Sequence, residues 1–404
     1  MKYSLTFMVS ILLSVVVQAQ SLQQYIEEAT ANNPGLLAFE KRYEIAQEKV
    51  RESNWLPNTE LGLGYFISEP ETRTGAQVAR FTTRQMLPWF GTISARKNAA
   101  GAIAETEYLN YVIAKRKIKL KVSQSYYKLF GLEARKDVLD ENIALLRTYE
   151  ELALNAVEVS KASAVDVLRL QMRQNDLEHL MEVLNESIKA ERSRFNSLLD
   201  RDIGVEVLVM KGLTIPDEEL VVADSLYLNP ELHQYDLLYE SISQLEEVNQ
   251  KERSPMLGFG LDYVPVQERP ELDFSDNGKD IIMPMVSLSI PIFSDRYDSR
   301  SKQNELRQQE LIFQKQERFN DLETALAEAI FAKNESRIAH AAQVKNLEQA
   351  KNAEQILIKT YETGTIDFND ILDIQELQLK FQLNKIEAVQ QFYVQSMIIN
   401  YLTN

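Results

Sequence analysis

Two aspartates three residues apart, Asp370 and Asp373, are the nearest thing to a reactive pair in this chain. Carboxylates spaced this way share a helix face, where they can move protons, attract cations or simply start a helix. Asp370 follows Asp367 by three residues, as Asp166 follows Ser163, and an acid three residues after an N-cap makes a capping box that the helix dipole also favours. A local reading therefore accounts for Asp166 and Asp370, whereas Asp373 lies one turn deeper, beyond the capping register. Little else is offered for chemistry. His179, His233 and His340 stand isolated, with no second histidine or carboxylate cluster at ligand spacing, so no metal site is expected. No Gly-rich phosphate loop, no G-x-S-x-G and no nucleophile motif occurs, so neither catalytic residues nor a cofactor are expected. The chain has no cysteine, which removes disulfides, thiolate metal sites and a lipid anchor on an N-terminal Cys. Along the chain the methionines form no cluster either, which argues against metal binding.

The elements that carry these residues are legible from proline. Every proline lies between Pro34 and Pro88 or between Pro216 and Pro291, leaving Trp89 to Ile215 and Ile292 to Asn404 free of it. Proline costs a helix interior about 3 kcal/mol, so these tracts read as very long helices broken at most once. The same distribution exposes a duplication. Asn33-Pro34 pairs with Asn229-Pro230, Leu56-Pro57 with Ser254-Pro255, Leu87-Pro88-Trp89-Phe90 with Ile290-Pro291-Ile292-Phe293, and Asp166-Val167-Leu168 with Asp370-Ile371-Leu372.

Each repeat predicts two strands, at about 58–68 and 77–88 and again at about 256–264 and 282–290, in which apolar residues alternate with small or polar ones. Leu61, Leu63, Tyr65 and Ile67 alternate with Gly62, Gly64 and Phe66, and Leu257, Phe259, Leu261 and Tyr263 with Gly258, Gly260 and Asp262. Such a pattern fits a half-buried soluble sheet or a lipid-facing barrel, and four strands cannot close a membrane barrel alone, because about eight are needed. Ser68 to Gly75 and Pro265 to Asp280 read as polar loops between the strands. The long helices are expected at about 92–159, 164–200, 294–362 and 368–402, with one shorter helix around Leu22 to Ser53 and another after Asn229. Narrow apolar seams, such as Ile118, Val122, Tyr126 and Leu129, or Leu379, Leu383 and Ile386, predict antiparallel coiled coils with broad polar faces. Gly364, the last glycine of the chain, supplies the turn between the final two helices.

Residues 1–19 read as a signal peptide: Lys2, an apolar run from Leu5 to Val17, and a small-residue cleavage site at Val17-Gln18-Ala19. The formal charge of −16 argues against nucleic acid as a partner. From residue types alone, a secreted coiled-coil scaffold with an accessory sheet and no transport role stays open beside a shared membrane barrel.

As a set, the duplicated order, the strand-to-helix junctions Leu87-Pro88-Trp89-Phe90-Gly91 and Ile290-Pro291-Ile292-Phe293, and above all Gly364-Thr365-Ile366-Asp367-Phe368-Asn369-Asp370-Ile371-Leu372-Asp373 resemble the TolC-like outer-membrane efflux proteins. The resemblance covers essentially the whole mature chain. It implies a mainly helical protein with a membrane β-barrel, in which a homotrimer shares one twelve-stranded barrel continued by a periplasmic coiled-coil tunnel. It also implies two structural repeats, 20–202 and 229–404, joined by an equatorial linker at 203–228. The implied role is a passive outer-membrane channel of a tripartite efflux system, working with a periplasmic adaptor and an inner-membrane pump and set in outer-membrane lipid. The implied cargo is heavy-metal cations or small toxic compounds, with a type I secretion duct as the alternative. Asp370 and Asp373 match paired acids that form a constricting ring, and Asp166 and Tyr361 match positions that tie the two coils of a protomer together in the closed state. The turns carrying Ser160 and Lys161, and Gly364 and Thr365, match the adaptor-docking tips. Ile366 stands where some members carry a basic residue, and Ser160 stands where the second tip has glycine.

Overall fold

The computed structural model describes residues 21–158, 163–216, 223–362, 366 and 368–403. Helices α1 (Leu22–Asn32) and α2 (Pro34–Glu52) precede strands β1 (Glu60–Tyr65), β2 (Glu71–Thr72), β3 (Gly75–Gln77) and β4 (Ala79–Leu87). Helices α3 (Thr92–Glu158) and α4 (Ala164–Leu198) follow, then α5 (Pro230–Glu252) after a short 3-10 turn (Ala223–Leu228). Strands β5 (Met256–Val264), β6 (Val266–Gln267) and β7 (Ile281–Ser289), with helices α6 (Arg296–Glu362) and α7 (Phe368–Thr403), complete the chain. The helical piece expected as one unit from Leu22 to Ser53 is two helices. Proline at 34 has no N–H to continue the first, so α1 ends with Asn33 N–H bonded to Ala29 O and α2 starts on Pro34.

Helices α3 and α6 are 67 residues each, about 100 Å at 1.5 Å per residue. Each contributes its first part to one compact unit and its remainder to another. The unit that holds the strands comprises 35–115 and 223–324. Its four-stranded antiparallel sheet runs β1-β4-β5-β7, joining the two repeats across the β4–β5 pair, where Thr83 faces Leu261 and Gln85 faces Phe259. Side chains alternate, so one face carries Leu61, Leu63, Phe81, Phe259, Ile282 and Val286, all exposed. The opposite face carries Gly62, Gly64, Gly258 and Gly260 with Arg80, Thr82, Arg84 and Asp262.

The polar loops between the strands are not featureless. Strands β2, β3 and β6 pair into a second small sheet that binds the loop of one repeat to that of the other. Arg73 holds Asp276 at 2.9 Å and Gly278 N donates to Thr74 O at 2.8 Å. Gly75, at φ 137°, lets this sheet close, since a Cβ there would strike the Gln267 carbonyl. These polar residues give no apolar alternation, which is why they read as loops in sequence.

Below the sheet's strands in the chain, the helices of this unit meet through small and polar side chains. Ala95, Ala99 and Ala104 are buried, Asn249 Nδ2 donates to Tyr297 O at 2.9 Å, and Glu252 receives Arg96 at 2.9 Å. Glu231 is buried with Arg318 on it. Phe313 stays 74% exposed and Ile312 56% exposed, so the chain alone leaves large apolar groups of α6 uncovered.

The other unit comprises residues up to 34, 116–222 and 325–402. One of its two cores packs Tyr25 and Ala29 of α1 against Val122, Tyr126 and Leu129 of α3 and Phe195 of α4. The segment after α4 is strapped across this core: Asn196 Nδ2 donates to Val205 O at 2.8 Å, Leu208 N to the Tyr25 hydroxyl at 3.0 Å, and Tyr393 Oη to Thr214 O at 2.8 Å. The second core draws on residues adjacent in sequence to the acids singled out above, Val167 beside Asp166 and Ile371 beside Asp370.

Candidate functional site: the coil ends

The second core is built from Leu139, Ile143, Leu146 and Tyr149 of α3, Val167, Leu170 and Leu177 of α4, and Phe368, Ile371 and Leu379 of α7, with Leu357 and Tyr361 of α6 packed against it. These are the seam positions of four amphipathic helices, and burying them fixes which faces of α4 and α7 turn outward. Ser160, Lys161, Gly364 and Thr365, expected to form the tips, lie outside the described residues.

Asp166 completes a capping box at the start of α4. Ser163 N donates to its carboxylate at 3.1 Å, and the Ser163 hydroxyl accepts from Val165 N at 3.2 Å. Arg169, one turn on, approaches Asp166 at 3.9 Å. The contacts described for Asp166 are thus local to α4, and the cross-coil tie implied by the resemblance has none among the described residues.

Tyr361 does join helices. Its ring meets Phe368 of α7 edge-on at 5.3 Å, and Phe368, itself buried, meets Tyr149 of α3 at 6.1 Å. Aromatic pairs at these separations add about 0.5–1.5 kcal/mol beyond area burial, so this run of three rings fastens the ends of α3, α6 and α7.

Asp370 and Asp373 are both exposed, in the first turns of α7. Asp373 lines a cleft between α4 and α7 with Arg169, Arg173, Asp176 and Glu376, where Arg173 approaches Glu376 at 3.6 Å. The pair is therefore free of the core and available to whatever faces the start of α7.

Sequence reasoning missed the centre of this region. Glu354 of α6 accepts from the Tyr149 hydroxyl at 2.8 Å, from Gln378 Nε2 at 2.8 Å and from Gln375 Nε2. Gln375 also donates to the Tyr149 hydroxyl at 3.2 Å, and Gln378 to Ala350 O at 3.2 Å. Burial, and then the Glu354 carboxylate beside it, push the Tyr149 hydroxyl well above the ordinary tyrosine range. Asn142 and Gln382 extend the polar line at 3.0 Å. The available signal was the spacing of Gln375, Gln378 and Gln382, which puts three amides on the same face as Leu379.

No protein-family profile and no curated protein matches the chain. Solved structures do. The outer membrane protein VceC from Vibrio cholerae superposes with a TM-score of 0.74 at 16% identity over 95% of both chains. CusC, described for its transmembrane channel formation, gives 0.78 at 12% identity over 95% of this chain and 92% of its own. The open state of the MtrE outer membrane channel from Neisseria gonorrhoeae gives 0.71 at 17% identity over 95% and 89%. At such identities the likeness shows a shared fold.

Proposed function

We propose, from the TolC-like fold that this chain has, that three copies build a passive duct through the outer membrane and across the periplasm. The observation that carries this reading is the sheet: four strands, two open edges, and an exposed apolar face opposite a polar one. A sheet of this kind satisfies its edges and its apolar face together only by closing with other copies in lipid, and three chains supply twelve strands, above the minimum of about eight. Among the described residues no helix is long and apolar enough to cross a membrane, so in this reading the strands do the spanning. The uncovered Ile312 and Phe313 of α6 fit the same assembly as contacts between copies. Neighbours described as outer membrane channels add support.

In this reading the duct has no chemistry of its own. An inner-membrane pump drives cargo through a periplasmic adaptor that meets the turns at 159–165 and 363–369, and heavy-metal cations or small toxic compounds are the cargo. Asp370 and Asp373 form the narrow point, and Tyr361, through Phe368 and Tyr149, holds the coil ends in the resting state, while Asp166 caps the start of α4. The test is fractionation. The mature chain should be extracted from the outer-membrane fraction by detergent as a trimer, with 68–75 and 265–280 open to protease outside the cell. A soluble periplasmic monomer would replace the duct with the secreted scaffold.

A further inference from the structure

Four of the chain's ten methionines share the polar face of the four-stranded sheet, although they arrive from three strands. Met86 of β4 faces Gly258, Met285 of β7 faces Gly260, and Met283 faces Asp262, while Met256 precedes Gly258 by two residues on the same face. The methionines form no cluster in sequence, but the ladder makes one.

Gly258 and Gly260 leave a furrow along β5, and thioethers lean into it from both sides. A Cβ at Gly258 would stand 2.6 Å from Met86 Sδ, and one at Gly260 would stand 3.3 Å from Met285 Cε. The two glycines are about 6.6 Å apart along the strand, so the long, unbranched side chains converge on one short stretch. Arg80 Nε donates to Asp262 at 2.7 Å, and Arg84, whose stem also lies against Gly260, adds its charge to the same carboxylate.

Thioether sulfur is a neutral, soft ligand that selects soft metals such as Cu(I) over Mg²⁺, Ca²⁺ or Mn²⁺, which prefer oxygen. The polar face of a membrane barrel ordinarily carries polar side chains, so sulfurs gathered over glycines are not explained by wetting. We propose that Met86 and Met285, flanked by Met256 and Met283, form a binding site for a soft monovalent cation. The site itself needs only the sheet; its position in a water-filled lumen rests on the duct reading.

The probe is Ag⁺, which is soft and stable to air, titrated by calorimetry in chloride-free buffer into the detergent-folded full chain. Wild type should bind saturably, and Zn²⁺ should not compete. Met86→Leu with Met285→Leu keeps the volume and should weaken binding at least about tenfold, since even groups that merely support a ligand cost that much when lost. Met210→Leu, at an exposed methionine outside the sheet, should bind as wild type does. A second measurement needs no variant: bound Ag⁺ ties up the sulfur lone pairs, so it should protect Met86 and Met285 from peroxide oxidation, read peptide by peptide. Absence of saturable binding to wild type, unchanged affinity in the double variant, or no protection of these two residues would overturn the site. A trimer in the outer membrane that ignores Ag⁺ sinks the site and keeps the duct, whereas a soluble monomer that binds Ag⁺ at these residues does the reverse.

Discussion

Glu354 takes three side-chain donors from two helices other than its own, Tyr149 of α3 and Gln375 and Gln378 of α7. Gln375 and Gln378 keep a second acceptor each, but removing the carboxylate leaves the buried Tyr149 hydroxyl without one, which costs about 1–3 kcal/mol, more than the bond itself contributes. Glu354→Ala should therefore lower the thermal midpoint clearly, and Glu354→Gln, which keeps one acceptor, should lower it less. Equal midpoints for wild type and Glu354→Ala would show the knot to be incidental. His340 of α6 offers a pH readout. Burial first, and then Lys385, hold its imidazole below its usual value of 6.5, so the folded state resists a proton that the unfolded chain accepts. Stability from this group is present above pH 6.5 and lost as the pH falls below it. Unfolding followed from about pH 7.5 to about pH 5 should show a downward slope in wild type that flattens in His340→Gln. At this scale the sequence disclosed local chemistry well. The Ser163–Asp166 capping box is a relation between neighbours, whereas Glu354 and Tyr149 are 205 residues apart and meet only once the coils pack.

Among the elements, those set by local rules could be read directly and those set by pairing could not. Long proline-free tracts and apolar seams pointed to α3, α4, α6 and α7, because helix geometry is a property of contiguous residues. Strand alternation revealed the apolar face, but only the β4–β5 and β5–β7 registers gather Met86, Met256, Met283 and Met285 on the other. The small β2-β3-β6 sheet escaped for the same reason: strands of two or three residues have no periodicity to detect. The capped start of α4 gives a direct test. Ser163→Ala should cost about 1 kcal/mol and raise amide exchange in the first turn of α4. Undiminished protection there would assign the ordering of that turn to packing of Val167 and Leu170 alone. The adjoining turns are the proposed adaptor contacts, so photocrosslinkers at Lys161 or Thr365 should capture the adaptor. Crosslinks confined to the segment 203–214 would move the docking surface to the strap over the core of α1, α3 and α4.

At the scale of the whole molecule, features that are liabilities in one chain would become functions in the proposed assembly of three. The exposed apolar sheet face and the bare Phe313 of α6 are aggregation hazards for a monomer and would be contact surfaces in the proposed trimer. In the proposed trimer the same symmetry would decide what Asp370 and Asp373 do. In one chain they are exposed acids at a helix start, with Asp373 beside Arg169 and Arg173 in the α4–α7 cleft. Threefold repetition around an aqueous constriction would turn each into a ring of carboxylates, which attracts cations and whose members raise one another's pKa by repulsion. The trimer in a planar bilayer should then favour cations at neutral pH and lose that preference as acid neutralises the rings. Asp370→Asn retains most of the capping capacity, and Asp373 lies beyond the capping register, so the double Asn variant should fold and assemble while losing selectivity. If the assembled double variant conducts with unchanged cation preference, the acids serve only to start α7, with Asp373 one of the groups lining the cleft that Arg169 and Arg173 share.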